Sequence, residues 1–328
     1  MYTEIARNKR RSVIFVCAFF VTWLGIGALL GLLAWELSRP SLRAEALSMH
    51  SSATPSAWTL LLIGLLVGGG LALAGIIYSL VAGAKLVLRV SGAEPAPKNE
   101  YQVLYDVVET LAIGEGIPTP AVYVIKDPSP NAFATGLGPG QASITYTTGL
   151  LELMNREELE GVTSHELSHI KNHDIRLLLL VGTLIGLAAL LASVLWRGAF
   201  YGSVLGGGED NEGGGAVLLF VIAAGTLLAV IGFIVGPLIR LALSRRREAL
   251  ADADGVELTR NPVGLLSALK KLEKNDIPFK SMNHATAAMC IDDPLQHHEA
   301  WYHRLYDTHP PIAERIAQLE KIAAGVSV

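Results

Sequence analysis

The sequence predicts a mainly α, four-span integral membrane protein that carries an α+β domain on its cytoplasmic side. Three observations predict it. Hydrophobic residues make up 51% of the 328 and charged residues only 17%, against about 25% charge in an ordinary soluble domain; mean hydropathy is +0.42. Four charge-free runs stand out: 13–35 with 23 residues, 58–84 with 27, 177–196 with 20 and 213–239 with 27. About 20 apolar residues cross the hydrocarbon core of a bilayer, so each run is long enough. Two polar pieces, 85–176 and 240–328, account for most of the remainder. The same composition excludes a disordered chain, which needs low hydrophobicity and high net charge. A net charge of −4 gives no basic field for nucleic acid. The two cysteines, Cys17 and Cys290, imply no disulfide framework.

The tail, 1–12, carries Arg7, Lys9, Arg10 and Arg11. The run that follows is too long for a signal-peptide core and no small-residue site closes it, so it is expected to stay as the first span. Loop 36–57 balances Arg39 and Arg43 with Glu36 and Glu45, whereas Lys85 and Arg89 follow the second run. Loop 197–212 sets Arg197 against Glu209, Asp210 and Glu212, whereas Arg240, Arg245, Arg246 and Arg247 follow the fourth run. Positive charge gathers on the cytoplasmic side. Both termini and both polar pieces are therefore expected there, and the two pieces are expected to pack as one domain.

Within that domain, 91–100 reads as a Pro- and charge-rich linker. Apolar positions 103, 104, 107, 108 and 111 predict an amphipathic helix over 101–113. Residues 121–125 (AVYVI) predict a strand, and 131–136 with 143–147, around the turn-rich LGPGQ, predict a hairpin. Asn155 with Glu158 has capping-box spacing and opens a helix near 156. Asn261 followed by Pro262 opens another, and Pro310-Pro311 precedes a final one.

The sharpest chemical pattern is His165-Glu166-Leu167-Ser168-His169, H-E-x-x-H on the helix that opens near 156. Positions i and i+4 share a helix face, so both imidazoles can reach one zinc ion. Glu166 is placed to act as general base on a water that such a metal activates. A catalytic zinc takes three protein ligands. The metzincin continuation is excluded, because Asn172 and Ile175 stand where it needs Gly and His. His173 continues the i+4 series, but three such residues on one straight helix diverge around its axis. Glu248, just past the fourth run, is the better candidate, with Asp252 four residues on to hydrogen-bond a zinc histidine. Together these residues read as a zincin-like metalloprotease domain of the gluzincin type. His297, His298 and His303 form another cluster, read as a variable loop near the site rim. Gly136–Gly140 is no nucleotide loop, since it lacks the P-loop lysine and the dinucleotide spacing.

Four motifs (HELSH, SRRREALADAD, NAFATG and THPPIAERI), in this order relative to the spans except that NAFATG comes first, resemble the HtpX-like membrane zinc metalloproteases of peptidase family M48, relatives of the CaaX prenyl protease. The resemblance covers nearly the whole chain. It implies one zinc per chain on His165, His169 and Glu248, with Glu166 as catalytic base. It implies that Asn131, Ala132, Phe133 and Ala134 line the substrate groove, and that His309 and Arg315 contact the bound peptide or the developing oxyanion. For His309 a turn residue before a helix, and for Asn131 a turn-forming Asn after Pro130, are the plain alternatives. It further implies protein substrates and a bacterial inner membrane, with membrane-protein quality control under stress as the role. Prenylated-peptide processing is a second enzymatic reading. A non-catalytic zinc scaffold leaves Glu166 unexplained, and a metal transporter conflicts with spans free of ionisable residues.

Overall fold

The structure, a computed structural model, describes residues 2–38, 55–205, 221–223, 225–226, 245–275 and 312–324. In chain order its elements are α1 (Tyr2–Ser38), α2 (Ala57–Val90), β1 (Glu94–Pro95), α3 (Gln102–Glu115), β2 (Ala121–Ile125), β3 (Ala132–Thr135), β4 (Ser143–Thr147), α4 (Thr148–Leu153), α5 (Arg156–Lys171), α6 (Asp174–Leu205), α7 (Arg245–Thr259), α8 (Pro262–Glu273) and α9 (Ile312–Ala323). The chain divides into two compact units. One joins Ile14–Tyr78 with Leu184–Ile234; the other joins Met1–Val13, Ser79–Thr183 and Val235–Val328.

Among the described residues, three helical segments are long and apolar enough to cross a membrane: Ile5–Glu36, Ala57–Val90 and Asp174–Val194. Their outward side chains are apolar too, with Val21, Leu66 and Val81 all exposed. A surface helix of a soluble protein carries polar residues there, so an all-round apolar helix wants lipid. The predicted fourth span, 213–239, lies outside the described residues except for 221–223 and 225–226, which are helical. In the first unit α1 and α2 meet glycine on glycine. A Cβ on Gly27 would strike the carbonyl oxygen of Gly64, and a Cβ on Gly64 that of Gly27. Glycine permits this close approach, and packing contacts of that kind hold helices together where lipid removes the hydrophobic drive.

The second unit holds a four-stranded mixed sheet in the order β1-β2-β4-β3. β2 and β4 run parallel, with Val122 opposite Ile144, while β3 pairs antiparallel with β4, with Ala134 opposite Ile144. The predicted hairpin is therefore β3–β4, and β3 is the edge. The stretch read as a linker is partly structured: Glu94 and Pro95 pair with Val124 and Tyr123 of β2. A two-residue strand on the edge carries too little sequence pattern to be seen. The parallel β2–β4 neighbours, with β3 inserted between them in sequence, were equally invisible.

α5 is the centre of this unit, packed against α3, α7, α8 and β3. Val162, Leu167 and Ile170 on it join Val107 and Val108 of α3, Ile144 and Tyr146 of β4, Leu265 and Leu269 of α8 and Leu319 of α9 in one buried core. α7 lies close enough to α5 that a Cβ on Gly255 would sit 2.9 Å from Ser164 Oγ and 3.2 Å from His165 N. The two polar pieces of the chain thus share one core. Residues 2–12, expected as a tail, instead begin α1, and Asn8 and Ser12 are buried.

Candidate metal centre

The start of α5 is fixed by its sequence. Asn155 Oδ1 accepts from Glu158 N at 2.9 Å and Glu158 Oε2 accepts from Asn155 N at 2.8 Å, a complete capping box. Two turns on, His165 and His169 are one turn apart on the face turned to α7. All of residues 161–170 are buried. From α7 comes Glu248, 1% exposed. These three residues offer ligand atoms that all lie within 4.8 Å of one another.

The distances suit zinc. The two Nε2 atoms are 3.2 Å apart. Glu248 places Oε2 3.6 Å from His165 Nε2 and Oε1 3.6 Å from His169 Nε2. Tetrahedral ligands about 2.0–2.1 Å from zinc stand roughly 3.3–3.4 Å from one another. The ring orientation says the same. His165 Nδ1 is 2.9 Å from Asp252 Oδ1, and His169 Nδ1 is 3.1 Å from Asp174 Oδ2. Each carboxylate accepts a hydrogen bond from Nδ1–H and so turns the Nε2 lone pair inward. Two lone pairs that face each other this closely call for a cation between them. Two imidazoles with a carboxylate make a donor set that zinc prefers.

The charges around the pair differ. Burial and the Arg315 guanidinium push His165 down to about 4. Burial pulls His169 the same way, but Glu248 and Asp174 outweigh it and take it up to about 9. Burial would raise Asp252, yet Arg315 and His165 bring it down to about 2. Arg315 grips Asp252 bidentately, Nε to Oδ2 at 3.0 Å and Nη2 to Oδ1 at 2.7 Å. Its Nη2 also lies 3.2 Å from His165 Nδ1, and its Nη1 lies 3.9 Å from Glu248 Oε2. It is 2% exposed, a buried cation whose charge Asp252 and Glu248 answer.

Glu166 is buried beside the ligands and raises the proton affinity of both His169 and Arg315. Asn131 sits at the head of β3, buried and tied to β4: its N–H donates to Thr147 Oγ1 at 2.8 Å and its carbonyl accepts from Thr147 N at 3.0 Å. Ala132, Phe133 and Ala134 follow in the edge strand, next to α5, and all three are buried. His309, His297, His298 and His303 lie outside the described residues. His173 is not brought to the cluster. It ends the helical run with φ 59°, and its ring lies where a Cβ on Gly138 would be 2.9 Å from Cε1.

Three residues in the site were not anticipated. Asp174 opens α6 and holds His169; Arg247 Nη1 donates to Asp174 Oδ1 at 3.1 Å, and Asn8 Nδ2 donates to the same oxygen at 2.6 Å. Asp174 had a sequence signal, a carboxylate five residues past the second histidine where the helix breaks. Asn8, 166 residues from Asp174 in sequence, had none.

An H-E-x-x-H helix, a glutamate from a following helix and a set of membrane-length helices define a membrane metalloprotease with a His-His-Glu site. The profile of Peptidase family M48 matches residues 98–323, and the chain belongs to that family. A protein described as "Protease HtpX homolog" from Lactobacillus helveticus is 37% identical over 330 residues, covering 98% of this chain and 100% of its own. One of the same description from Listeria monocytogenes is 36% identical over 327 residues, with 98% and 100% covered. A third, from Caldanaerobacter subterraneus, is 44% identical over 238 residues, with 73% and 78% covered. The crystal structure of S. mikatae Ste24p aligns with 76% of this chain and 57% of that chain at 21% identity and a TM-score of 0.47. The chain is a zinc metalloendopeptidase of this family and a multi-pass membrane protein.

Proposed function

We propose that the protein hydrolyses peptide bonds of damaged or misassembled membrane proteins at the cytoplasmic face of a bacterial inner membrane. One zinc is held by His165, His169 and Glu248, and four spans anchor the domain, the fourth being 213–239. When bound, zinc supplies Lewis-acid polarisation of the scissile carbonyl and a lowered pKa for a water. Glu166 accepts a proton from the attacking water and delivers it to the leaving nitrogen. Asn131 and the edge strand β3, residues 132–134, take the substrate backbone as an added strand. Arg315 holds Asp252 and so the tautomer of His165, and with His309 it contributes positive charge for the tetrahedral oxyanion.

The observation that carries this reading is the ligand set, with a buried glutamate between the two histidines in sequence. A structural zinc site has no need of Glu166 and usually closes with four protein ligands. The test is zinc content and proteolysis of detergent-purified protein on an unfolded model substrate, with a chelator control. The wild type should cut and hold about one zinc. Glu166→Gln should hold zinc and lose at least about a hundredfold in rate, in keeping with general-base loss. Glu248→Ala should lose the zinc. Cutting by Glu166→Gln at the wild-type rate rejects the mechanism. Zinc on all three proteins with cutting by none supports a scaffold instead.

A further inference from the structure

We propose that Asn8, at the cytoplasmic start of the first helix, is a positioning residue of the metal centre, acting on His169 through Asp174. The inference rests on the zinc reading above and extends the centre to a part of the chain that neither α5 nor α7 contains. Asn8 is 2% exposed. Its Nδ2 makes two hydrogen bonds, to Asp174 Oδ1 at 2.6 Å and to the carbonyl of Asn172 at 2.9 Å. Both partners accept only, so the amide nitrogen must face them; the flipped amide would set oxygen against oxygen. Ser12 Oγ donates to the Asn8 carbonyl at 3.0 Å, one turn further along α1.

The carboxylate of Asp174 is therefore fully committed. Oδ1 accepts from Asn8 and from Arg247 Nη1, and Oδ2 faces His169 Nδ1 at 3.1 Å. Three separate pieces of chain, α1, the start of α6 and α7, meet on one side chain that is 3% exposed. A buried carboxylate is costly unless its lone pairs are satisfied. Without Asn8, Asp174 loses its shortest donor and the turn at Asn172 loses its tie to α1. The Asp174 carboxylate is then held only by Arg247 and His169, and the His169 imidazole is less firmly oriented. Partners of this kind behind a zinc histidine shift metal affinity about 10–100-fold, and Asn8 stands one bond further back. The same contacts make the head of α1 a support of the catalytic domain as well as the start of a span.

The test is zinc affinity by chelator competition on the full-length protein in detergent, with cobalt absorption as a second reading of the ligand geometry and melting in chelator as the fold control. Asn8→Ala should weaken zinc about threefold to tenfold, scaled down from the direct-partner range, and alter the cobalt bands, with its chelated melting temperature unchanged. Ser12→Ala, its neighbour in the same helix, should change affinity less than about twofold. In an Asp174→Asn background the Asn8→Ala effect should vanish, because the pathway runs through that carboxylate. Wild-type affinity in Asn8→Ala, or an equal loss in both backgrounds, overturns the proposal. If Asn8→Ala does not fold, Asn8→Asp puts a carboxylate of the same size against Asp174, and wild-type zinc affinity there overturns it equally. A wild type that takes no zinc refutes the metalloprotease reading itself; a wild type that binds zinc beside indifferent Asn8 variants refutes only this inference.

Discussion

Asp252 Oδ1 is shared by His165 Nδ1 at 2.9 Å and Arg315 Nη2 at 2.7 Å, so one oxygen serves both metal and fold. These roles can be separated. Asp252→Ala leaves Arg315 buried without its bidentate partner, and removal of one member of a buried pair costs about 3–5 kcal/mol. Asp252→Ala/Arg315→Met removes the orphaned charge and should recover most of that stability in chelator melts. Zinc affinity should stay about 10–100-fold weak in both, because His165 has lost its Nδ1 acceptor. Full recovery of zinc binding in the double variant would show that Asp252 acts only by neutralising Arg315. At this scale the sequence was legible where the helical period placed residues together: His165 with His169, and Glu248 with Asp252. Asn8 and Arg247 reach Asp174 only through tertiary packing, which leaves no periodic trace in the chain.

The join between α5 and α8 is made by the side chain that also caps α5. Glu158 Oε2 accepts from Asn155 N at 2.8 Å and from Lys271 Nζ at 2.6 Å, while Oε1 accepts from Ser267 Oγ at 2.6 Å. Lys271 Nζ also reaches the Leu153 carbonyl at 2.9 Å. Burial disfavours the Glu158 carboxylate, but Lys271, Ser267 and the Asn155 N–H outweigh it and hold its pKa below the usual glutamate value of 4.5. A depressed folded-state pKa means stability that is fully present above the unfolded-state value and lost as pH falls through the folded one. Glu158→Gln keeps a capping partner but drops the charge. It should be less stable than wild type at pH 7 by about 1.5–3 kcal/mol, the range for hydrogen bonds to a charged group. The gap should close as pH falls below about 4.5 in melts of the two proteins side by side. A constant gap across that range would mean that charge plays no part. The capping box and the Asn261 cap were readable because each is local in sequence. The salt link from α5 to α8 was not, since it spans 113 residues.

Lipid is the solvent that makes sense of the outer surfaces of α1 and α2. Val21, Leu66 and Val81 are exposed there, and burying such side chains is worth about 1.5–3 kcal/mol each, so water is the wrong surrounding. Three of the four expected spans were the most legible feature of the chain, because about 20 residues without a charge leave little other use for a helix; the mixed sheet was the least, because strand order depends on partners far apart in sequence. The expected sidedness rests on the alternation of basic residues, and thiols on α1 test the span and its direction. Cys17 lies on α1 within the charge-free run 13–35 and is exposed. With Cys290→Ser as background, Cys17 is the sole thiol of a two-cysteine chain. In sealed, right-side-out vesicles a membrane-impermeant maleimide should leave it unlabelled, and it should stay unlabelled when the vesicles are inverted, because the ring of lipid excludes the reagent from both sides. Denaturing detergent should then expose it to full labelling. A Cys introduced at Arg7 should react only in inverted vesicles if the metal-bearing unit, to which the head of α1 belongs, lies on the cytoplasmic side as proposed. Labelling of Cys17 in either kind of intact vesicle would take α1 out of the bilayer, and labelling of the residue-7 thiol in right-side-out vesicles would put Asn8, and with it the metal centre, on the opposite face.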